Sequence, residues 1–111
     1  MVDPIVVKAV QDYMRALGNR GIEVRFVVVF GSQTTDRRDE SSDIDVVVVS
    51  PRYDSGIRFE DAAILWETAA ETDSRIEPIP CGERQWVEDD SSALLEIARR
   101  EGEAVAAETL T

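Results

Sequence analysis

Apolar residues recur every three or four positions in three parts of the chain, which is the spacing of a helix with one buried face. The first part follows Asp3 and Pro4, a helix-capping residue and a proline at the first helical position, and predicts a helix over 4–17. The same period predicts helices over about 58–72 and from Ser92 toward Gly102. The apolar stripe of the second helix comprises Phe59, Ala62, Ala63, Trp66, Ala69 and Ala70.

Between these helices, β-branched and aromatic residues form short runs that are typical of strands. Residues 23–30 and 44–49 predict two largely buried strands, and 75–80 predicts a third. The prolines at 78 and 80 favour an edge position for the third strand, because proline donates no ladder hydrogen bond. The wholly polar stretch 33–42 predicts a short surface helix or loop. The chain is therefore expected to form one domain, 1–111, of the α+β or α/β class around a small sheet.

The amino-acid composition narrows the range of possible functions. The 111 residues include 23 acidic and 12 basic side chains, giving a net charge of −11, and residues 61–111 alone carry −9. Such a charge argues against binding to nucleic acid. With no histidine, one lysine (Lys8) and one cysteine (Cys81), imidazole catalysis, a phosphate-binding lysine loop and an internal disulfide are excluded. The lone cysteine and apolar runs of at most five residues predict a cytoplasmic protein without a membrane span.

The candidate chemistry lies where the first two strands meet. Gly31-Ser32 ends one strand, ten residues follow, and Asp43-Ile44-Asp45 opens the next. Side chains two apart on a strand project from one face, so both aspartates can hold Mg²⁺, alone or as a pair of ions. Antiparallel pairing of the strands would place Phe30 beside Asp43 and bring a phosphate-binding turn at Gly31-Ser32 to the metal site. This arrangement predicts nucleotidyl transfer.

A third carboxylate usually completes such a site, and Glu77 on the third strand is the best candidate. It would hold metal or accept the proton of the attacking hydroxyl, provided that its strand lies next to 44–49. The alternative is that Glu77 is simply an exposed acid on an edge strand. Trp66 and Trp86 are interpreted as anchors of the core and of a loop rather than as a platform for stacking a base.

The run Phe30-Gly31-Ser32, ten residues, then Ser42-Asp43-Ile44-Asp45 resembles the GSx10DxD signature of the DNA polymerase β-like nucleotidyltransferase superfamily. In its short length, the chain resembles the minimal nucleotidyltransferase (MNT) group of this superfamily. The resemblance implies a mixed sheet with helices packed on it, nucleotide binding by Gly31 and Ser32, and metal binding by Asp43 and Asp45. Glu77 falls where the family commonly has an aspartate as its third acid.

The resemblance also implies a partner, because MNT proteins are typically encoded beside a HEPN-domain RNase toxin. The implied activity is Mg²⁺-dependent transfer of AMP from ATP to a tyrosine of that toxin, which makes the chain an antitoxin. Two alternatives stay open: neutralisation of the toxin by contact alone, and a catalytic subunit for a small molecule such as an aminoglycoside. A homodimer, the choice of base, the acceptor and the number of AMP groups added are also left open.

Overall fold

The computed structural model describes residues 2–31 and 43–106. The elements, in chain order, are α1 (Pro4–Asn19), β1 (Phe26–Phe30), β2 (Ile44–Ser50), a 3-10 helix (Pro51–Ser55), α2 (Phe59–Thr72), β3 (Ile76–Gly82), α3 (Glu83–Glu88), α4 (Ala93–Glu101) and β4 (Glu103–Val105).

The strands form one mixed sheet in the order β3-β2-β1-β4. β1 is antiparallel to both of its neighbours, whereas β2 and β3 are parallel and α2 lies in the connection between them. The prediction of an edge strand with two prolines is confirmed, because Pro78 and Pro80 lie on β3 at one end of the strand order. Within residues 2–31 and 43–106, no strand pairs with the outer edge of β3, so no ladder partner there needs the missing N–H groups.

The two faces of the sheet carry separate apolar cores, because successive side chains of a strand point to opposite faces. Val27, Val29, Val46 and Val48 pack against the buried side of α1 and Leu65 of α2. On the other face, a second cluster joins β1, β2 and β3 to α4; it contains Val28, Phe30, Val47, Val49, Cys81, Leu95 and Ala98. Both faces of β1 and β2 are therefore buried along most of their length, as their near-continuous apolar runs predicted.

Helix α1 begins where the capping residues indicated. The Asp3 side chain accepts a hydrogen bond of 2.8 Å from the Ile5 N–H, and Pro4 occupies the first turn. The helix ends at Asn19, two residues beyond the predicted end, and Gly21 then turns the chain with a φ of +86°.

Several expectations were wrong in detail. β1 begins at Phe26 rather than at residue 23, and β3 spans Ile76–Gly82 rather than 75–80. The strand β4 was not predicted, so the sheet has four strands instead of three. Three residues are too few for a period-2 pattern to emerge, and pairing with β1, far away in sequence, is what makes β4 a strand.

The side of α2 that faces the core was also predicted wrongly. Phe59 and Trp66 are 85% and 50% exposed, and the buried residues are Asp61, Leu65, Thr68 and Ala69. Trp66 is thus no core anchor, and Trp86 lies in α3 rather than in a loop. No helix in the described part of the chain is both long and apolar enough to span a membrane.

Candidate active site

The register of the sheet brings two of the predicted acids side by side. Asp45 is the partner of Phe30 on the antiparallel strand β1 and of Glu77 on the parallel strand β3. Adjacent residues in register project from the same face about 5 Å apart, so the two carboxyl groups are neighbours. The predicted condition for Glu77, a strand next to β2, is therefore met. The antiparallel pairing of β1 and β2 is confirmed, but Phe30 lies opposite Asp45 rather than beside Asp43.

Asp43 joins this pair from the residue before β2 begins. Because it lies two positions before Asp45, it shares the same side of the chain, and its side chain is exposed. The carboxyl group of Glu77 lies within hydrogen-bonding reach of Asp45 and Asp43. All three predicted acids consequently meet at one end of the sheet, on the face that carries α4.

The closeness of these acids changes the proton affinity of Glu77. The hydrogen bond with Asp45 raises the pKa of Glu77 above its ordinary value of 4.5, and burial and the negative charges of Asp43 and Asp45 act in the same direction. Like-charged groups at this separation destabilise one another unless a proton or a cation offsets the charge. The site is thus an acidic cluster on the strand ends.

Gly31 brings the backbone of β1 close to this cluster. Its φ of +75° lies in the left-handed region that glycine adopts readily. A β-carbon at this position would lie 2.6 Å from Asp45 Oδ2, well inside contact distance. A side chain at position 31 is therefore excluded twice, by backbone conformation and by the neighbouring carboxylate.

The second residue predicted to bind nucleotide, Ser32, lies outside the described residues, as does the polar stretch 33–42. The role of Ser32 in gripping phosphate stays a prediction. The position of Gly31 beside Asp45 nevertheless fixes where the chain enters this stretch, at the acidic end of the sheet.

The donor set has the chemistry that Mg²⁺ prefers, because carboxylate oxygens are its usual protein ligands. Asp43, Asp45 and Glu77 therefore fit a divalent cation by donor type. In residues 2–31 and 43–106, no group of three such side chains already surrounds a single ion position. The assignment of metal ligands stays a prediction.

The sequence predicted no function for the other end of the sheet face that carries α4. There, a cavity of about 310 Å³ is lined by Phe26, Trp86 and Arg99, among others. Arg99 donates to the Trp86 carbonyl at 2.8 Å, and its guanidinium lies 5.2 Å from the centroid of the Trp86 ring. An Arg and a Trp at a separation of 13 residues offer no local signal for this contact, since it depends on how α3 and α4 pack.

Residues 7–93 match the family model of the nucleotidyltransferase domain (NTP_transf_2). The chain belongs to this family, and the predicted resemblance is confirmed. The match includes Gly31, Asp43, Asp45 and Glu77. No curated protein matches the chain.

Among solved structures, the chain is similar to one described as the crystal structure of a toxin-antitoxin with AMP-PNP. The likeness has a TM-score of 0.59 and 17% sequence identity, and it covers 89% of this chain and 74% of the other. At that identity the comparison concerns the fold. The mixed sheet with packed helices is thus the polymerase β-like nucleotidyltransferase fold that the GSx10DxD spacing implied.

Proposed function

We propose that this chain is a Mg²⁺-dependent nucleotidyltransferase that transfers AMP from ATP to a protein hydroxyl, a tyrosine of a HEPN RNase toxin, and thereby acts as an antitoxin. The observation that carries the proposal is the register of Asp45 with Glu77, next to the left-handed Gly31. Membership of the nucleotidyltransferase family supports the reaction type.

Each residue has a role in this reaction. Asp43 and Asp45, with Glu77, hold Mg²⁺, and Gly31 with Ser32 lets the backbone approach the triphosphate closely. The bound cation offsets the negative charge of the phosphates and of the leaving pyrophosphate. The acceptor oxygen forms a bond to the α-phosphorus, the bond to the β-phosphate oxygen breaks, and the hydroxyl proton passes to a carboxylate of the cluster.

Two observations support the antitoxin role. The similar solved structure is that of a toxin-antitoxin with AMP-PNP, an ATP analogue. In addition, residues 61–111 carry a net charge of −9, which suits association with a basic protein that binds RNA. Electrostatic attraction of this kind accelerates encounter and depends on ionic strength.

The test is transfer of label from ATP. The purified chain is incubated with Mg²⁺, ATP labelled at the α-phosphate, and the product of the adjacent reading frame. We expect label on a tyrosine of that product, and we expect its loss with Asp43→Ala plus Asp45→Ala. Asp12→Asn, an exposed acid on α1, is the matched control and should transfer normally. Unchanged transfer by the double variant would refute the proposed site.

Neutralisation by contact alone is the second candidate function, and the uneven acidity of residues 61–111 favours it. The Asp43→Ala plus Asp45→Ala variant distinguishes neutralisation by contact from neutralisation by AMP transfer. If it rescues toxin-expressing cells as fully as the wild type at matched protein levels, contact is sufficient. If rescue disappears while the complex still forms, transfer is the function.

A further inference from the structure

Helix α2 has an apolar stripe on its outer side that no other described element covers. Phe59 and Trp66 are 85% and 50% exposed. Seven residues apart, they lie within about 20° of each other around the helix axis and roughly 10 Å apart along it. Ala63 and Ala70 lie on the same side of the helix, so large and small side chains alternate along the stripe.

This stripe is distinct from the face that builds the core. Leu65, Thr68 and Ala69 are buried on the side that faces the sheet and α1. The Leu65 carbonyl there accepts a hydrogen bond from Tyr13 of α1. Two large aromatic residues aligned on the opposite side form a contiguous apolar surface, and such patches mark sites of protein association. Small residues between large ones allow a second helix to approach closely.

The flank of the stripe is acidic. Glu60, Glu67 and Glu71 follow the same helical spacing on its α1 side, and all three are exposed. Glu71 pairs with Arg20, the residue that follows α1. Residues 59–72 contain no lysine or arginine. Two copies of this chain joined through α2 would bring like charges together, which disfavours a homodimer and favours a basic partner.

We infer that the outer stripe of α2 (Phe59, Ala63, Trp66 and Ala70) docks an amphipathic helix of the toxin partner, with apolar residues in its centre and lysine or arginine on its flank. This inference rests on the proposed function for the identity of the partner. The stripe lies on the α1 side of the sheet, whereas Asp45 and Glu77 face the α4 side. Docking and catalysis therefore use opposite sides of the sheet and are separable by mutation.

The experiment measures the affinity between this chain and the product of the adjacent reading frame by calorimetry at two salt concentrations. Phe59→Ser plus Trp66→Ala should weaken binding by roughly 10- to 100-fold, because aromatic anchors dominate interfaces. Glu60→Lys plus Glu67→Lys should weaken it less and reduce its salt dependence. The matched controls are Val87→Ser, which removes a 77% exposed apolar residue of α3, and Glu88→Lys; both should bind as the wild type. Because these positions are exposed, thermal unfolding of the variants should stay close to that of the wild type.

Wild-type affinity in the aromatic double variant, or no binding by the wild-type chain itself, would overturn the inference. So would a homodimer in light scattering that dissociates with Phe59→Ser plus Trp66→Ala, because a second copy would then be the occupant. The labelled-ATP assay keeps the two proposals apart. Binding that depends on α2, without transfer of AMP, refutes the reaction alone; transfer by a complex indifferent to α2 refutes the docking surface alone.

Discussion

Asp45 Oδ2 lies 2.6 Å from the position that a β-carbon on Gly31 would occupy. The end of β1 therefore lies close to the acidic pair on β2 and β3, since Asp45 is also in register with Glu77. The conformational freedom of one glycine thus determines how closely the backbone at the end of β1 can approach the carboxylates. Both the stability and the activity of the chain should depend on it.

Gly31→Ala should lower the free energy of unfolding by about 2–3 kcal/mol, because it combines an unfavourable positive φ with a clash against Asp45. AMP transfer should fall in parallel, as the clash displaces the carboxylate. Urea unfolding and the labelled-ATP assay measure the two effects.

Gly21→Ala provides the matched control for Gly31→Ala. Gly21 has a similar φ of +86°, but a β-carbon there would meet nothing within 4 Å. Gly21→Ala should lower the free energy of unfolding only by the cost of the backbone conformation, about 1 kcal/mol, and it should retain full AMP transfer. Equal losses of stability and activity in the two variants would show that crowding at Asp45 has no consequence.

Asp45→Asn should stabilise the protein while abolishing its activity. The substitution replaces one of two facing carboxyl groups by an amide that can donate to Glu77, so the free energy of unfolding should rise by about 0.5–1 kcal/mol. Under the proposed function Asp45 is a metal ligand, so AMP transfer should fall by at least about 100-fold. Thermal unfolding without added metal and the transfer assay test both parts. A less stable Asp45→Asn variant would contradict the view that the acids repel one another.

The buried Asp61 should make stability depend on pH. It accepts hydrogen bonds from the Arg58 N–H at 3.0 Å and from Arg52 Nε at 3.0 Å, and these bonds hold its pKa below the ordinary value of 3.8. Because the native pKa is the lower one, the stabilisation is complete above the unfolded value and is lost as the pH falls through the native value. Asp61→Asn should therefore cost about 1–2 kcal/mol at pH 7 and progressively less below pH 4.

Asp12→Asn is the control for Asp61→Asn. Asp12 is about half exposed and pairs with Lys8 on α1 at 3.2 Å, a surface ion pair of small effect. Its substitution should change stability by less than about 0.5 kcal/mol. A penalty for Asp61→Asn that is equally large at pH 3 and pH 7 would rule out a charged Asp61 as its source.

The local pattern was sufficient to predict the central strands and the acids they carry. The near-continuous apolar runs around Val28 and Val47, and the break at Gly31, indicated where β1 ends and where Asp43 and Asp45 lie. Glu77 could be proposed only because its strand was recognised, and its register with Asp45 depends on a parallel pairing across the β2–α2–β3 connection. No local pattern specifies that register.

The error at Trp66 has a different cause. Helix α2 is apolar on more than one side, so a helical period cannot decide which side faces the sheet. Packing against α1 decided it, through Leu65 and its hydrogen bond from Tyr13. The short strand β4 was missed for a similar reason, because its partner Val28 is distant in sequence. In both cases, tertiary contacts determined a feature that the local sequence pattern does not specify.

Two buried tyrosines should respond in opposite ways to loss of the hydroxyl. Tyr13 donates to the Leu65 carbonyl at 3.0 Å, whereas the Tyr53 hydroxyl has no hydrogen-bond partner in the described part of the chain. Burial raises the pKa of Tyr53 to about 12, as expected of a desolvated hydroxyl. Tyr13→Phe should lower the free energy of unfolding by about 1 kcal/mol, because it leaves a buried carbonyl with one acceptor site unused. Tyr53→Phe should raise it by about 1 kcal/mol, because it removes a polar group that folding dehydrates without compensation. Urea unfolding of the two variants side by side provides the measurement, and a destabilised Tyr53→Phe would mean that its hydroxyl is bonded in solution.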